Sequence, residues 1–416
     1  MDADVVVVGG GAIGVCCAYE LAQRGIGVTL IERGEELAAG ASSGNAGLLC
    51  PSHSAPIANP ASVRNGLRWM LDAESPFYLR PRPGIAPWIA RFVKASTRGR
   101  AAEGTRIIRE LSVASLEQHA ALSADGLQTG FERRGILNVY ETEAAFAQAQ
   151  GHAEDTGLTA SVLAASETRE LEPAVGERVA GSVYFPDEAH CEPLAFVYAV
   201  ARAAREAGAT IDTTVRVDRL RRSNGGIALE TSQGTRRART VVLAAGAWST
   251  ALAGPLGVFL PQEGGKGYHL DLAAAAHDPR IPISLDEAHV IATPLPGRLR
   301  LSGTLELAGL DTSISRVRVD AIRRAAARVL AIDEERPEVD VWAGLRPCTP
   351  DGLPVIGRPF GVEPLVLATG HARKGLSLSP ITGRLVAELI AGEPPSFDLA
   401  PFSPDRFRPL LRPVRR

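Results

Sequence analysis

The stretch Val5–Gly14, with the sequence VVVVGGGAIG, decides the fold of this chain. Its four consecutive valines predict a strand of a parallel sheet, because such strands are apolar on both faces. Gly9, Gly11 and Gly14 then match the pattern G-x-G-x-x-G. In that pattern the first glycine permits a tight turn, the second lets a pyrophosphate approach the backbone, and the third lets helix and strand pack closely. The stretch therefore predicts a dinucleotide site, with a purely structural turn as the alternative.

The residues after this turn are predicted to form a helix and a second strand, which complete a strand–helix–strand unit. Ile13–Arg24 carries small apolar residues at helical spacing and ends at Gly25, and Gly27–Arg33 is the second strand. Glu32 lies about 20 residues after the glycines, where an acidic side chain binds ribose hydroxyls. The free N–H groups at the helix N-terminus favour phosphate groups. This spacing is shared by FAD and NAD sites and does not distinguish them.

The composition excludes several classes of protein. The 416 residues exceed one ordinary core, so we expect two domains, interleaved along the chain. The formal net charge of −2 argues against a nucleic-acid partner. Asp2 and Asp4 stand where a signal peptide would carry basic residues, which favours a cytoplasmic location. The five cysteines form no C-x-x-C pair, so we expect reduced thiols and no metal site.

Later segments predict a return of the chain to the first sheet. They are a helix over 194–207, strands near 209–217 and 240–248, and a final strand over 364–370. The last predicted helix covers 379–392, with Ser379 as its N-cap and Gly392 as its stop. Together with the opening stretch, these segments predict one sheet assembled from distant parts of the sequence.

Longer motifs resemble a known family. They include ASSGNAGLL, VVLAAGAWS, GLRPCTPDGLPVIG and LATGHARKGLSLSPITGRLVAEL. Together with the glycine turn they resemble the D-amino-acid oxidase superfamily of FAD-dependent amine dehydrogenases and oxidases. The SSGNAGLLCPS segment is most similar to bacterial D-amino-acid dehydrogenases, and TGHARKGLSLSPITG is also similar to glycine oxidases. D-hydroxyproline dehydrogenase-type enzymes belong to the same group.

The resemblance implies an α/β fold and FAD as the cofactor. A Rossmann-like FAD-binding domain of the GR2 type would be interleaved with an α+β substrate domain. The FAD-binding domain would comprise 1–60, 190–250 and 340–416. The substrate-binding domain would comprise 61–189 and 251–339.

By the same resemblance, the glycine turn holds the FAD pyrophosphate, and Glu32 and Arg33 hold the adenosine end. A segment of small residues would run past the ribityl chain and the flavin, since the backbone must lie against the cofactor there. The residues expected to contact FAD are Gly9, Gly11, Ala12, Ile13, Gly14, Glu32, Arg33, Ser42, Ser43, Asn45, Ala46, Gly47, Leu48, Val215, Ala245, Gly246, Trp248, Gly370, His371, Lys374, Gly375 and Leu376.

The family uses the arginine of the GLRPCTPDGLP motif, Arg346, to bind the substrate carboxylate. A guanidinium suits this role because it offers two parallel donors to two carboxylate oxygens. Arg373 is a second cation for the same carboxylate. Tyr268 and His269 are candidates for lining the pocket, with ordinary strand residues as the alternative for both. His371 is either a general base or a structural hydrogen-bonding residue.

The implied reaction is hydride transfer from the α-carbon of a D-amino or D-imino acid to the flavin N5, which gives an imine. D-Proline, D-hydroxyproline and D-alanine are the candidate substrates, and Ala372, where many relatives carry an aromatic residue, implies a roomier pocket. Electrons would pass to a quinone or another carrier. One alternative is an oxygen-dependent oxidase of glycine, sarcosine or another secondary amine. Another is a non-catalytic FAD-containing subunit of a larger electron-transfer assembly.

At most peripheral membrane contact is expected. The segment 241–262 is uncharged, but glycine and proline interrupt it, which excludes a spanning helix. The region 65–90 mixes arginines with aromatic and apolar residues, which fits either contact with the inner face of the cell membrane or a folded lobe. These aromatic and apolar residues are Trp69, Met70, Phe77, Tyr78 and Trp88. Assembly with copies of this chain or with other subunits stays open.

Overall fold

Two large β-sheets organise the chain. The structure is a computed structural model that describes residues 3–69, 75–333 and 335–408. Within these ranges the first sheet has eight strands, numbered in chain order: β1 (Ala3–Val8), β2 (Val28–Ile31), β9 (Thr210–Asp212), β10 (Val217–Ser223), β11 (Gly226–Thr231), β12 (Gly234–Leu243), β18 (Val355–Gly357) and β19 (Leu365–Thr369).

The second sheet is mostly antiparallel. In the described part of the chain it consists of β4 (Phe77–Leu79), β5 (Ile136–Tyr140), β6 (Ser161–Ala164), β7 (Gly181–Phe185), β13 (Glu263–Ala273), β14 (Ile283–Leu285), β15 (Val290–Leu295), β16 (Arg298–Leu307) and β17 (Glu338–Cys348). A short pair, β3 (Leu48–Leu49) and β8 (Ala189–His190), is separate from both.

Ten helices surround the sheets in the same described ranges. They are α1 (Ala12–Gln23), α2 (Pro60–Trp69), α3 (Ala86–Ala95), α4 (Arg98–Ala124), α5 (Glu143–Glu154), α6 (Ala165–Leu171), α7 (Pro193–Glu206), α8 (Ser249–Ala253), α9 (Arg316–Val329) and α10 (Ser379–Ala391).

The opening stretch forms the centre of the first sheet. Strand β1 pairs in parallel with β2 on one side and β12 on the other. Its residues Val5–Val8 are buried, as the apolar run predicts. Helix α1 packs closely on α10, because Gly383 has no side chain to collide with the backbone of Cys16. The predicted strand–helix–strand unit and the α/β fold class are confirmed.

The second sheet is built on three long antiparallel strands. Strand β13 lies between β16 and β17, and all of its residues except the last are buried. Helix α9 covers one face and packs Val319 and Ile322 against Leu270 and its neighbours. The chain thus contributes strands to this sheet twice, before and after β9–β12. The face of the sheet opposite α9 lines the cavity described below.

Three sequence-based boundaries change. The strand predicted near 209–217 is two strands, β9 and β10, separated at Thr214, whose φ of 60° breaks extended geometry. Leu378, rather than Ser379, is the N-cap of α10; the Ser379 hydroxyl instead donates to the Leu376 carbonyl at 2.7 Å. Strand β17 belongs to the second sheet, so that sheet extends beyond residue 340. The predicted domain ranges stay a prediction.

Candidate active site

A cavity of about 1270 Å³ extends from the glycine turn across the exposed face of the second sheet. At one end it is lined by residues that follow β1, β2 and β12, where the carboxyl ends of parallel strands meet. This is where open α/β sheets bind ligands. At the other end it is lined by residues of β5, β14, β15, β16 and β17.

Most of the predicted cofactor residues line this cavity: Gly9, Gly11, Ala12, Ile13, Glu32, Arg33, Ser42, Asn45, Ala46, Leu48, Val215, Ala245, Gly246, Trp248, His371, Lys374, Gly375 and Leu376. The other four, Gly14, Ser43, Gly47 and Gly370, are not among the lining residues. Contact between these residues and FAD stays a prediction.

The glycine turn leaves room for a phosphate. Gly9 adopts a φ of 115°, and a side chain at this position would collide with Ala244. A side chain at Gly14 would overlap the Gly9 carbonyl. Helix α1 has no side-chain cap at Gly11 and no acidic residue in its first turn, while Ala12 donates its N–H to the Ser42 hydroxyl at 3.0 Å. The remaining amides and the helix dipole therefore fit an anionic pyrophosphate.

Glu32 and Arg33 lie beside the turn. The Glu32 carboxylate accepts from the amides of Gly10 at 2.7 Å and Gly34 at 2.9 Å, which fixes it at the end of β2. The Arg33 guanidinium lies 3.8 Å from the centre of the Trp248 ring. Both side chains face the cavity, in positions suited to a ribose and an adenine.

The second sheet holds the small-residue segment in place. Arg300 Nη1 donates to the carbonyls of Ser43 at 2.7 Å and Asn45 at 2.9 Å. The same guanidinium binds Asp271 through two hydrogen bonds of 2.8 Å. Trp342 packs so closely on Gly44 that a side chain at position 44 would overlap its ring. Sequence reasoning missed Arg300 and Trp342, because only the pairing of β13, β16 and β17 brings them to this segment.

Arg346 is a cation without a carboxylate partner among the described residues. Its Nη1 donates to the Thr304 carbonyl at 2.6 Å. It reaches β16 by crossing over Gly267 of β13, where any side chain would overlap the guanidinium. Burial and the nearby charge of Arg373 lower the pKa of Arg346 to about 10, with Cys348 acting in the opposite sense. A substrate carboxylate would supply the missing counter-charge.

Arg373 and Lys374 extend this positive region. The Arg373 side chain is exposed to the cavity, where partial desolvation by the cavity walls lowers its pKa, and no ion pair to it occurs in the described part of the chain. Lys374 Nζ donates to the Cys50 carbonyl at 2.8 Å. Three cations therefore line one part of the cavity, which suits an anionic ligand group.

Replacing Gly267 by Ala tests the position of Arg346. The added methyl group would displace the Arg346 guanidinium, whose long side chain can move, so the fold and FAD binding should persist. We expect about a tenfold or larger fall in kcat/KM, mostly through a higher KM, because the guanidinium that binds the substrate carboxylate is displaced. Gly99→Ala, at a helical position with open space around it, is the matched control. Equal kcat/KM values for the two variants would show that substrate binding does not depend on the position of the Arg346 side chain over Gly267.

His371 lies on the lining, but its environment opposes a role as general base. It is buried, and its Nε2 is 2.9 Å from the Thr382 hydroxyl. Burial lowers its pKa to about 3, so the ring is neutral and a weak base. This geometry favours His371 as a structural hydrogen-bonding residue rather than a general base.

Tyr268 and His269 are not among the residues that line the cavity, which favours the interpretation of both as ordinary strand residues. The Tyr268 hydroxyl donates to Glu306 at 2.7 Å, inside the sheet. His269 stacks on Trp342 and lies 3.1 Å from Asp340. His269, Asp271 and Asp340 form a group whose possible metal-ligand atoms lie within 4.8 Å of one another. Because Asp271 is already bound by arginine, ion pairing accounts for this group without a metal.

A second polar group was missed by the sequence reasoning. Glu188 is buried and accepts from the Ser52 amide at 2.5 Å and the Ser52 hydroxyl at 2.9 Å. The neighbouring His53 lies 2.9 Å from the Asn138 amide oxygen, and both residues line the cavity. Asp286 lies on the same side. Only the fold brings these distant residues together, so no local motif identified them.

Glu188 predicts a pH-dependent stability. Burial raises its pKa from 4.5 to about 7, with Cys50 adding to the shift. The folded protein therefore binds this proton more tightly than the unfolded chain. As the pH rises from the lower to the higher of these two pKa values, the free energy of unfolding falls by about 3 kcal/mol. Glu188→Gln removes this dependence. The difference in unfolding temperature, variant minus wild type, should therefore increase as the pH rises from roughly 5 to 7.5, which is about the interval between the two pKa values.

The exposed Glu110→Gln is the control for Glu188→Gln, because Glu110 pairs with Arg106 at the surface. It should show a difference from the wild type that is independent of pH over this range. A flat difference for Glu188→Gln as well would contradict the raised pKa.

Comparisons with known proteins agree with this geometry. Residues 4–389 match the family described as FAD dependent oxidoreductase. The chain is 34% identical over 423 residues to the D-amino acid dehydrogenase of Paramagnetospirillum magneticum, covering 98% of this chain and 99% of that protein. It is 31% identical over 414 residues to a D-amino-acid oxidase of Bradyrhizobium diazoefficiens, covering 97% and 98%.

Among solved structures, the glycine oxidase from Geobacillus kaustophilus aligns with a TM-score of 0.80 and 28% identity, covering 98% of this chain and 99% of that one. The glycine turn, the uncapped helix and the cavity that continues to Arg346 fit the cofactor that the family description names. The chain therefore belongs to the family of FAD dependent oxidoreductases.

Proposed function

We propose that this chain oxidises a D-amino or D-imino acid to the corresponding imine and passes the electrons to a carrier other than oxygen. The observation that carries this proposal is Arg346, a half-buried arginine without a carboxylate partner in the described residues, in the same cavity as the glycine turn. The similarity to a D-amino acid dehydrogenase along nearly the whole chain supports the D-configuration.

The residues of the chain would bind and orient the substrate. Arg346 uses one nitrogen on the Thr304 carbonyl, which fixes the plane of the guanidinium and leaves its other donors for the two carboxylate oxygens. FAD, when bound, supplies the acceptor for the hydride from the α-carbon. Fixing both carboxylate oxygens fixes the orientation of that carbon, on which the rate depends steeply.

The three cations also favour the reactive form of the amine. Arg346, Arg373 and Lys374 place positive charge near the substrate, which disfavours a second positive charge on its ammonium group. The pKa of that ammonium should therefore fall on binding. The neutral amine, whose lone pair assists loss of the hydride, becomes more populated at neutral pH.

A panel of D- and L-amino acids, including prolines, tests the proposal. The purified protein should be yellow, and D-substrates should bleach its flavin absorbance in the absence of oxygen. Turnover by the isolated chain with an artificial acceptor dye should follow the same ranking. A colourless protein that cannot be reconstituted with FAD, or a yellow one that only L-amino acids bleach, would contradict the proposal.

The second candidate is an oxygen-dependent oxidase of a D-amino acid, glycine or a secondary amine. The similarity to a D-amino-acid oxidase and to a glycine oxidase favours it. Rates measured side by side with oxygen and with dye separate the two candidates. Dye-linked turnover at least tenfold above oxygen turnover supports the dehydrogenase, and the reverse ratio supports the oxidase. Turnover by the isolated chain also excludes a purely non-catalytic subunit.

In the described part of the region 65–90, for which membrane contact and a folded lobe are the two interpretations, several aromatic side chains are packed. Trp88 is buried, donates its Nε1–H to the Cys348 carbonyl at 3.2 Å and stacks on Phe92. Phe77 packs on the same cluster, and Tyr78 lies under the Arg318 guanidinium. These contacts favour the folded-lobe interpretation. Met70 lies outside the described residues.

Of the helices in the described ranges, none is both long enough and apolar enough to cross a membrane.

A further inference from the structure

We propose that Asp286 recognises a second positive charge at the far end of the substrate, so that D-amino acids with basic side chains are preferred. This inference rests on the proposed function. It concerns the part of the cavity beyond Arg346, which the motifs of the family do not cover.

Asp286 occupies a defined position at the end of β14. Its amide donates to the Val139 carbonyl at 3.2 Å, and its carbonyl accepts from the His289 amide at 3.1 Å. The turn between β14 and β15 is therefore held at both ends, and Asp286 and His289 both line the cavity. These bonds fix the backbone of Asp286, and therefore the point from which its side chain extends.

The carboxylate of Asp286 differs from the other acidic side chains of the lining. Three carboxylates line the described part of the cavity. Glu32 binds two backbone amides, and Asp218 pairs with Arg216 at 2.6 Å. Asp286 has neither an ion pair nor a side-chain hydrogen bond among the described residues. The surrounding protein raises its pKa, against the effect of His53. Asp286 is exposed where it meets the cavity, so a cation of the ligand would pair there with a carboxylate that no described protein group already binds.

The order of the strands gives the separation between the two charged ends. Arg346 reaches Thr304 on β16; β16 pairs with β15, and β15 pairs with β14. Asp286 therefore lies about two strand spacings, roughly 10 Å, from the carboxylate-binding end. Ile291 of β15 lies between the two ends and lines the cavity. A chain of methylene groups could pack on Ile291 and present its terminal cation to Asp286.

The opposite charges at the two ends thus match a ligand with a carboxylate, an apolar stem and a distal cation. D-Lysine, D-ornithine and D-arginine have this chemistry. Asn138 and Tyr140, on the next strand, line the same end and offer further polar atoms to such a group. A neutral aliphatic D-amino acid would leave the Asp286 charge without a partner.

Two matched ligand pairs test the inference. D-Lysine is compared with D-norleucine as a substrate, because the two differ in the terminal ammonium. 6-Aminohexanoate is compared with hexanoate as an unreactive ligand, by the change in flavin absorbance on binding. The wild type should favour the charged member of each pair by about 10- to 100-fold. Asp286→Asn should abolish both preferences and leave D-norleucine within about twofold of the wild type.

Glu287→Gln is the control, because Glu287 is adjacent but binds the backbone of Glu141 and Thr142 instead of lining the cavity. It should retain both preferences. If Asp286→Asn weakens D-lysine and D-norleucine equally, or if the wild type does not favour the charged ligands, the inference is overturned while the proposed function stands. If no D-amino acid bleaches the flavin, the proposed function itself fails, and 6-aminohexanoate binding still decides the role of Asp286.

Discussion

Arg346→Lys should retain its yellow colour and its fold while kcat/KM for the best substrate falls about 30- to 1000-fold. Lysine keeps the positive charge but loses the two parallel donors, and its ammonium cannot bind the Thr304 carbonyl and both carboxylate oxygens in one plane. The loss corresponds to about 2–4 kcal/mol of transition-state binding, the range for a buried charge-assisted pair. Steady-state kinetics with the best substrate measure it directly.

Arg346→Ala removes the charge as well, so its efficiency should fall further. Arg80→Lys is a suitable control, because Arg80 is solvent-exposed and pairs only loosely with Asp311. Wild-type efficiency in both Arg346 variants would mean that the carboxylate binds elsewhere, with Arg373 as the next candidate.

Arg300→Met should weaken FAD binding by roughly 100-fold. Arg300 is 3% exposed and its partner Asp271 is 2% exposed, so the variant leaves a buried carboxylate with one arginine fewer. Breaking a buried pair costs about 3 kcal/mol or more, and Arg298, at 2.9 Å from Asp271, offsets part of it. The carbonyls of Ser43 and Asn45 also lose their donor, which frees the segment that is predicted to lie beside the flavin.

Titration of the apo-protein with FAD, followed by flavin fluorescence, gives the dissociation constant. Arg300→Lys should lose less affinity than Arg300→Met, because an ammonium can still bind Asp271. Arg316→Met removes an exposed arginine paired with Glu338 and should leave FAD binding unchanged. An Arg300→Met variant that binds FAD as tightly as the wild type would show that the segment needs no support from the second sheet.

Local patterns were sufficient to predict the first part of the fold. The valine run and the glycine spacing gave β1, the turn and α1, because their chemistry is contained in ten consecutive residues. The site residues of the turn follow from the same chemistry. The roles of Arg346 and Arg373 came from the family resemblance, because no local pattern distinguishes a ligand-binding arginine from the many other arginines of the chain.

The parts that were missed depend on pairing between distant strands. Asp271 faces Arg300 because of the register between β13 and β16, and a sequence pattern does not specify a register. Tyr268 illustrates the same difficulty. It lies on an alternating strand whose two faces are both buried, so the sequence could not show which face meets the cavity.

The support that β16 and β17 give to the segment at 42–48 has a consequence for stability. Because Arg300 and Trp342 hold this segment, which is predicted to contact the cofactor, anything that orders it also orders β16 and β17. Binding free energy from FAD is then shared by both sheets through thermodynamic linkage. Loss of FAD should lower the unfolding temperature of the entire chain in one cooperative step, and hydrogen exchange should accelerate in β16 and β17 as well as in the glycine turn.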